Sequence, residues 1–282
     1  MNNQIRLSLA TLILSSCVVV NAMDFEVSTG VHDFIVSDIK DDGALGHIKA
    51  GDSHTFGVNI ALWVKHTTKA DIKILAKAET FIDYDQDELD PDHIPIWFDF
   101  LLDLNGPIYT INEYNQLRWY VYADNRQNTV SCIEREIRQQ YGLGWVYSNG
   151  GFAVALRATA GFYYIELDDD TPVARGYGRL ELDDGEAANR LQLNVSYEFT
   201  KSLSFNAYVN QYSANAGMEA LENDAEVLVT YKTVLFGEGS SLNFKVKNVQ
   251  YNFDRFNTKA VDAVPWDNDT LVQAYASIPI EW

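Results

Sequence analysis

The chain is poor in cysteine, proline and basic side chains. Its 282 residues include two Cys, six Pro and 21 Lys or Arg, against 40 Asp or Glu. The two cysteines, Cys17 and Cys132, are too few for a disulfide framework or a cysteine zinc site. The formal net charge of −19 argues against nucleic acid as a partner, because a polyanion would be repelled. A hydrophobic fraction of 47% excludes a disordered chain.

The sequence also lacks the motifs by which many enzymes are recognised. It has no P-loop, no HExxH and no Ser-His-Asp pattern, and none of its five histidines begins a His-x-Ser. The adjacent pair Asp92-His93 does not by itself establish the geometry that acid–base catalysis needs. The acidic run over residues 83–92 lacks the glycine and the distal glutamate of a calcium-binding loop. We therefore expect no catalytic residue, no cofactor and no metal site.

The N-terminal segment has the pattern of an export signal. An apolar stretch over residues 7–20 follows a short polar n-region, and residues 20–22 fit a signal-peptidase cleavage site. The apolar stretch is too short for a transmembrane helix. Lipoprotein processing at Cys17 is the alternative. The sequence thus divides into a signal peptide, residues 1–22, and one domain, residues 23–282.

Beyond the signal, apolar and polar side chains alternate at every step. In the clearest stretch, Leu191, Leu193 and Val195 point to one side and Gln192 and Asn194 to the other. This period of two predicts β-strands with one apolar and one polar face. No stretch approaches the roughly 18 consecutive apolar residues of a membrane helix.

Short turns and long polar connections alternate along the chain. Turns are predicted near 66–69, 112–115, 148–151, 200–201 and 237–240, and long connections near 37–51, 84–93, 125–130, 169–185, 215–222 and 255–267. Five turns and six connections require twelve strands, with both termini at the short-turn end. A count of ten or fourteen strands is the alternative, because Gly106-Pro107 could bend or break one strand. A change of phase within 241–253 predicts a β-bulge there.

The even strand number, the alternating connection lengths and strands of about ten residues predict an all-β, antiparallel, up-and-down transmembrane β-barrel. The sheet must close on itself, because hydrocarbon cannot satisfy the backbone groups of an open edge. A soluble secreted sandwich or a lipocalin-like barrel is the alternative, since its strands also alternate.

With its signal peptide, alternating strands and C-terminal aromatic Trp282, the chain resembles Gram-negative outer-membrane β-barrel proteins. The resemblance implies a location in the outer membrane, with outer-membrane lipid and lipopolysaccharide as neighbours. It also implies that the barrel assembly machinery reads the last strand, which ends at Trp282. No specific family is recognisable from residue motifs.

If the apolar faces meet lipid, the polar faces line a lumen. Its candidate selectivity residues are Lys73, Lys77, Arg118, Arg157 and Lys245 on a basic side, and Glu79, Asp99 and Glu198 on an acidic side. We expect a narrow, substrate-selective porin for a small polar solute. The alternative is a plugged barrel whose acidic outer loops contact partners, phage or lipopolysaccharide. Strand number alone does not separate the two, because twelve lies between filled and open barrels.

Overall fold

A computed structural model describes residues 23–39, 51–84, 96–129, 133–167, 183–214, 220–252 and 268–280, and these form twelve β-strands. The strands are β1 (Asp24–Ile39), β2 (Gly51–Thr67), β3 (Lys73–Asp83), β4 (Ile96–Asn112), β5 (Asn115–Gln127), β6 (Ile133–Asn149), β7 (Phe152–Leu167), β8 (Asp183–Glu198), β9 (Leu203–Ala214), β10 (Ala220–Lys232), β11 (Ser241–Tyr251) and β12 (Asn268–Ile280). Among the described residues, none belongs to a helix long and apolar enough to cross a membrane.

The strands form one closed antiparallel barrel. Each strand pairs with its neighbours in the chain, and β1 pairs with β12 from Phe25↔Ile280 to Ser37↔Asn268. The predicted twelve-strand, up-and-down topology is therefore confirmed, and the counts of ten and fourteen are wrong. Both the first and the last strand have their terminal ends at the short-turn end of the barrel. The opposite end, where the long connections run, is called the long-loop end below.

Alternation along the strands separates an apolar outer face from a polar inner one. In β8, Leu191 and Leu193 are 54% and 40% exposed, whereas Gln192 between them is 7% exposed. Exposed large apolar side chains occur around the barrel, including Val31, Phe56, Ile60, Leu62, Phe100, Leu143, Leu156, Val209 and Phe244. So extensive an exposed apolar belt does not suit a protein surrounded by water. It therefore disfavours the soluble sandwich or lipocalin-like alternative.

Aromatic side chains gather at the short-turn end of the outer face. Tyr147 packs near Trp145 and Phe152, with ring centroids 6.4 and 6.3 Å apart. Tyr197 lies edge-on to Phe199 at 4.9 Å. Such a ring of aromatics is typical of the boundary between lipid and water around membrane barrels.

Strand β11 corrects one prediction. Its pairing with β10 and β12 runs without a register shift, so the bulge predicted within 241–253 is absent from the described part of this strand. Val249 and Tyr251 instead point into the lumen and are buried. The apolar residues change face because the long-loop end of the lumen is itself packed with apolar side chains.

Strand β4 continues through Pro107 rather than breaking there. Pro107 pairs with Arg118, and the next pair is Tyr109↔Leu117, so the register shifts by one residue. Proline has no N–H to donate, which explains why an irregularity occurs at this position.

Several predictions concern residues outside the described ones. They are the signal peptide over 1–22, the cysteines Cys17 and Cys132, and the terminal Trp282.

Glycine allows β6 and β7 to approach closely. A Cβ atom placed on Gly161 would lie 1.9 Å from the carbonyl oxygen of Gln139. We expect Gly161→Ala to lower the free energy of unfolding by roughly 1–3 kcal/mol, because the strands would have to move apart. Ala160→Val adds bulk to the outer face of the same strand and should change it by less than about 0.5 kcal/mol. Urea unfolding in lipid vesicles, followed by tryptophan fluorescence, measures both, and equal midpoints would contradict the close approach.

Candidate functional site

The long-loop end of the lumen contains a buried cluster of charges centred on Arg138. Its Nη1 donates to Asp124 Oδ2 at 3.0 Å, and its Nε and Nη2 donate to Glu222 Oε2 at 3.1 and 2.7 Å. Nη2 also donates to Glu136 Oε1. One guanidinium group thus holds three carboxylates from three strands.

A second guanidinium extends this cluster across the barrel. Arg126 Nη2 donates to Asp269 Oδ2 at 2.9 Å, and its Nε lies 3.5 Å from Glu136 Oε2. The hydroxyl of Tyr163 donates to Glu222 Oε2 at 2.5 Å. The six charged residues of this long-loop cluster are Asp124, Arg126, Glu136, Arg138, Glu222 and Asp269, all at most 5% exposed. Two guanidinium groups therefore face four carboxyl groups, and a third buried cation, Lys247, is an electrostatic neighbour of Asp124 and Glu136.

Apolar and aromatic side chains pack beside the long-loop cluster. One group comprises Ile133, Tyr163, Ile165, Ala188, Tyr212, Ala214, Leu221, Val249 and Tyr251. On the opposite wall, Phe81 stacks on Trp97 with ring centroids 3.6 Å apart, and Phe34 meets Trp97 edge-on. Because these side chains are almost wholly inaccessible to solvent, the described lumen is closed to water at this level.

A buried histidine lies against the aromatic wall. His32 Nε2 is 2.7 Å from Asp83 Oδ1, and the ring meets Phe81 edge-on at 5.1 Å. Trp97 Nε1 donates to the same Asp83 oxygen at 3.3 Å. No cluster of three or more His, Cys, Asp or Glu among the described residues could hold a metal ion.

The middle of the lumen brings three predicted residues together. Lys77 Nζ donates to Glu79 Oε2 at 2.9 Å and to Asp99 Oδ2 at 2.5 Å. Glu79 also accepts hydrogen bonds from Asn59 and Gln273 at 2.9 and 2.8 Å. This central triad, Lys77, Glu79 and Asp99, is a charge-assisted network of the strong kind.

Lys245 is the fourth predicted residue at this level. It is buried, and it faces Gln273 in the register of β11 and β12. Among the described residues, no carboxylate oxygen lies within 4.0 Å of its ammonium group.

Two predicted arginines line an open chamber at the short-turn end. Arg118 Nη1 donates to Asp71 Oδ2 at 2.5 Å, and its Nε donates to Asn105 Oδ1 at 2.8 Å. Arg157 Nη1 donates to Asp103 Oδ2 at 2.6 Å, and its guanidinium lies over the ring of Tyr120 at 4.2 Å. The cavity has a volume of about 340 Å³ and is lined by amides, hydroxyls and charges that include Lys73, Asn105, Asn112, Gln116, Tyr120 and Asn194.

The last two predicted residues lie at the mouth and not in the interior. Lys73 begins β3 and Glu198 ends β8, and both are exposed. The predicted basic and acidic sides therefore do not face each other as two walls. Lys77 is paired with Glu79 and Asp99 within one triad, whereas Arg118 and Arg157 have Asp71 and Asp103 as partners.

Sequence reasoning missed the long-loop cluster. The alternation that places Arg118 inward continues through Asp124 to Arg126, but residues from 125 were assigned to a connection. Following that alternation to its end would have found both residues. Arg138 and Glu222 are harder to find, because register shifts occur between Ile133 and Arg135 and between Ala220 and Glu222.

A larger concavity, of about 970 Å³, lies on the outside of the barrel. Most of the side chains around it point outward, among them Leu143, Leu191 and Val209. It belongs to the apolar belt, so its size says nothing about the lumen.

No protein-family model matches the sequence, and no curated protein is similar to it in sequence. The fold is similar to that of the NanC porin, with a TM-score of 0.48 and 8% identity over 90% of this chain and 100% of that one. For outer membrane phospholipase A from Escherichia coli the TM-score is 0.41 and the sequence identity 13%, over 91% of this chain and 95% of that one. For OpdQ from Pseudomonas aeruginosa the TM-score is 0.42 and the sequence identity 8%, over 93% of this chain and 100% of that one. Likenesses this distant do not assign an activity.

Loss of Arg138 should strongly destabilise the barrel. Arg138→Gln leaves the carboxyl groups of Asp124, Glu136 and Glu222 buried without their common cation, so we expect a loss of about 3–5 kcal/mol. Lys65→Gln breaks the exposed pair with Glu26 and should cost less than about 1 kcal/mol. Both are measured by urea unfolding. A loss below about 1 kcal/mol for Arg138→Gln would mean that water reaches the cluster.

Proposed function

We propose that the chain is an exported outer-membrane barrel that passes small polar solutes through its lumen. One observation carries the proposal: a closed barrel with an apolar outer belt has charged side chains at every level of its interior. A closed sheet is one of two structures that can span hydrocarbon, because all its backbone groups are paired. The polar interior then supplies a path that lipid does not.

The charge of the interior supports conduction over simple filling. A buried ion pair is costly to desolvate, and apolar side chains of equal volume often stabilise a protein as well or better. A barrel that needed only to be filled would gain little from two arginines and four carboxylates. Charged and amide groups do have a use where a solute must exchange its hydration shell for contacts with the wall.

The geometry gives the parts of the lumen different roles in this proposal. The short-turn chamber, with Arg118 and Arg157, is the open vestibule. The central triad and Lys245 contact a passing solute, and the long-loop cluster is the constriction. Because the constriction is closed to water in this conformation, passage requires its side chains to move. Lys73 and Glu198 act at the mouth. No catalytic step is assigned to any residue.

A plugged barrel is the second candidate. It is favoured by the complete burial of Arg138, Glu136 and Glu222 together with the apolar group beside them. In that case the long-loop end would serve as a rigid base for the outer loops, with partners, phage or lipopolysaccharide as their contacts.

A location in the membrane predicts that two neighbouring residues of β8 differ in how much stability is lost when a charge is introduced. Leu193→Arg places a charge in the outer apolar belt and should cost about 2–4 kcal/mol in vesicles. Asn194→Arg points into the short-turn chamber and should cost less than half as much. Urea unfolding of the two variants in the same lipid measures both losses in the free energy of unfolding. Equal losses would contradict lipid contact at Leu193.

Conduction is tested by recording single channels of the refolded protein in a planar bilayer. Discrete steps are expected, and Arg157→Gln should shift the reversal potential towards cations, because Asp103 loses its counter-charge. Arg135→Gln makes the same change of charge at an exposed pair with Glu166 and should leave the reversal potential unchanged. Folded protein without steps would support the plugged barrel, and steps with unchanged selectivity would remove Arg157 from the conducting path.

A further inference from the structure

One wall of the lumen carries buried donor groups that have no protein partner. Four of these groups donate no hydrogen bond within the part of the chain that the structure describes: Gln140 Nε2, Arg190 Nη1, Asn210 Nδ2 and the Tyr212 hydroxyl. These side chains are at most 4% exposed. Buried polar groups in folded proteins are nearly always paired. Four unpaired donors on neighbouring strands therefore indicate a polar ligand.

The donors are held in fixed orientations. Arg190 Nε donates to Asn210 Oδ1 at 3.0 Å, which turns Asn210 Nδ2 away from the arginine. The Arg190 guanidinium lies over the ring of Tyr122, 4.0 Å from its centroid. Thr159 donates to Gln140 Oε1 at 3.2 Å and leaves Gln140 Nε2 free. Donors fixed before binding lose little entropy when a ligand arrives.

The strand register places these groups side by side. Arg190 of β8 faces Thr159 of β7 on one side and Tyr212 of β9 on the other. Asn210, also in β9, faces Gln192 of β8 and Asp224 of β10. The donors thus lie on β6, β8 and β9, and Thr159 of β7 connects Gln140 with Arg190.

Acceptors without partners complete the patch. Gln192 Oε1 and Asp224 Oδ1 are buried and have no hydrogen-bond partner among the described residues. Arg190 and Asp224 are both neighbours of Asn210, which accepts a hydrogen bond from Arg190 and faces Asp224 in the register. They nevertheless do not meet as an ion pair within 4.0 Å. A fixed cation and a fixed anion therefore stand apart, each with a free hydrogen-bonding atom.

We propose that Gln140, Arg190, Gln192, Asn210, Tyr212 and Asp224 bind a small zwitterion with one carboxylate and one ammonium group. The carboxylate accepts hydrogen bonds from Arg190, Asn210, Gln140 and Tyr212. The ammonium group donates to Asp224 and Gln192. A simple anion would leave the acceptors Asp224 Oδ1 and Gln192 Oε1 without donors, and a simple cation would leave the four donor groups without an acceptor, so only a ligand with both groups satisfies both sets. This rests on the proposed function, because the zwitterion is the solute that would pass.

Glycine is the probe. The refolded full chain in vesicles is heated in glycine, sodium acetate or methylammonium chloride, at equal concentration and ionic strength, and the midpoint of unfolding is read from gel mobility. A ligand that binds the folded state raises this midpoint. Glycine should raise it more than either single ion. Arg190→Gln and Asp224→Asn should each weaken the apparent Kd for glycine at least about tenfold, the loss of one charge-assisted hydrogen bond. Arg135→Gln, outside the patch, should keep the full response.

The two site variants should also differ from each other. Asp224→Asn removes the repulsion of anions, so acetate should become at least as effective as glycine, whereas Arg190→Gln should respond to neither. Where Arg190→Gln does not fold, Arg190→Lys keeps the charge, loses the planar fork and should weaken glycine binding similarly. Acetate as effective as glycine on the unaltered protein, or an undiminished glycine response in Arg190→Gln, overturns the site. If channel steps are recorded but glycine does not raise the midpoint of unfolding, the site is refuted and conduction is still supported. A glycine effect without channel steps supports the site and refutes conduction.

Discussion

Pairing of every backbone group within the sheet is the constraint on which the rest of this structure depends. A strand edge facing hydrocarbon would leave N–H and C=O groups without partners, and each would cost several kcal/mol, ~2–7 by transfer data. The thirteen residue pairs between β1 and β12 remove that edge. Successive side chains of a strand point to opposite faces, so closure places one face of every strand outside and the other in the lumen. The apolar belt and the charged interior are two consequences of the same closed ladder.

A narrow closed barrel forces its charges to neutralise one another at short range. Arg138 and Arg126 form ion pairs with carboxyl groups from different strands, and Lys77 forms ion pairs with Glu79 and Asp99. The pairs Lys77–Asp99, Arg138–Asp124, Arg138–Glu222 and Arg126–Asp269 join different strands and so help to fix the cross-section of the barrel. Removing one member leaves the others buried and unpaired, which makes the network costly to break even where it contributes little net stability. Arg190 differs, because no carboxylate of the described residues lies within 4.0 Å of its guanidinium group.

Much of the architecture could be predicted from the sequence, because alternation reports directly which face a residue occupies. The inward direction of Lys77, Glu79 and Asp99 follows from it, whereas the strand number follows from the count of turns and connections and closure from the cost of an open edge in hydrocarbon. The residues that escaped prediction lie where alternation is ambiguous or interrupted. The change of phase within 241–253 predicts a bulge only if every apolar residue faces lipid, whereas the apolar Val249 packs equally well inside the lumen. Arg138 follows a register shift, and no pattern within one strand indicates which three carboxyl groups it will meet across the barrel.

Solute entry into liposomes tests the central claim, passage through a charge-lined lumen, most directly. Liposomes that contain the refolded protein are transferred to an isosmotic solution of a small polar solute, and swelling is followed by light scattering. Passage through the lumen should give swelling with glycine or glycerol, at a rate that rises with the amount of protein, and little swelling with a trisaccharide. Swelling no faster than in protein-free liposomes for every solute would contradict it and favour the plugged barrel.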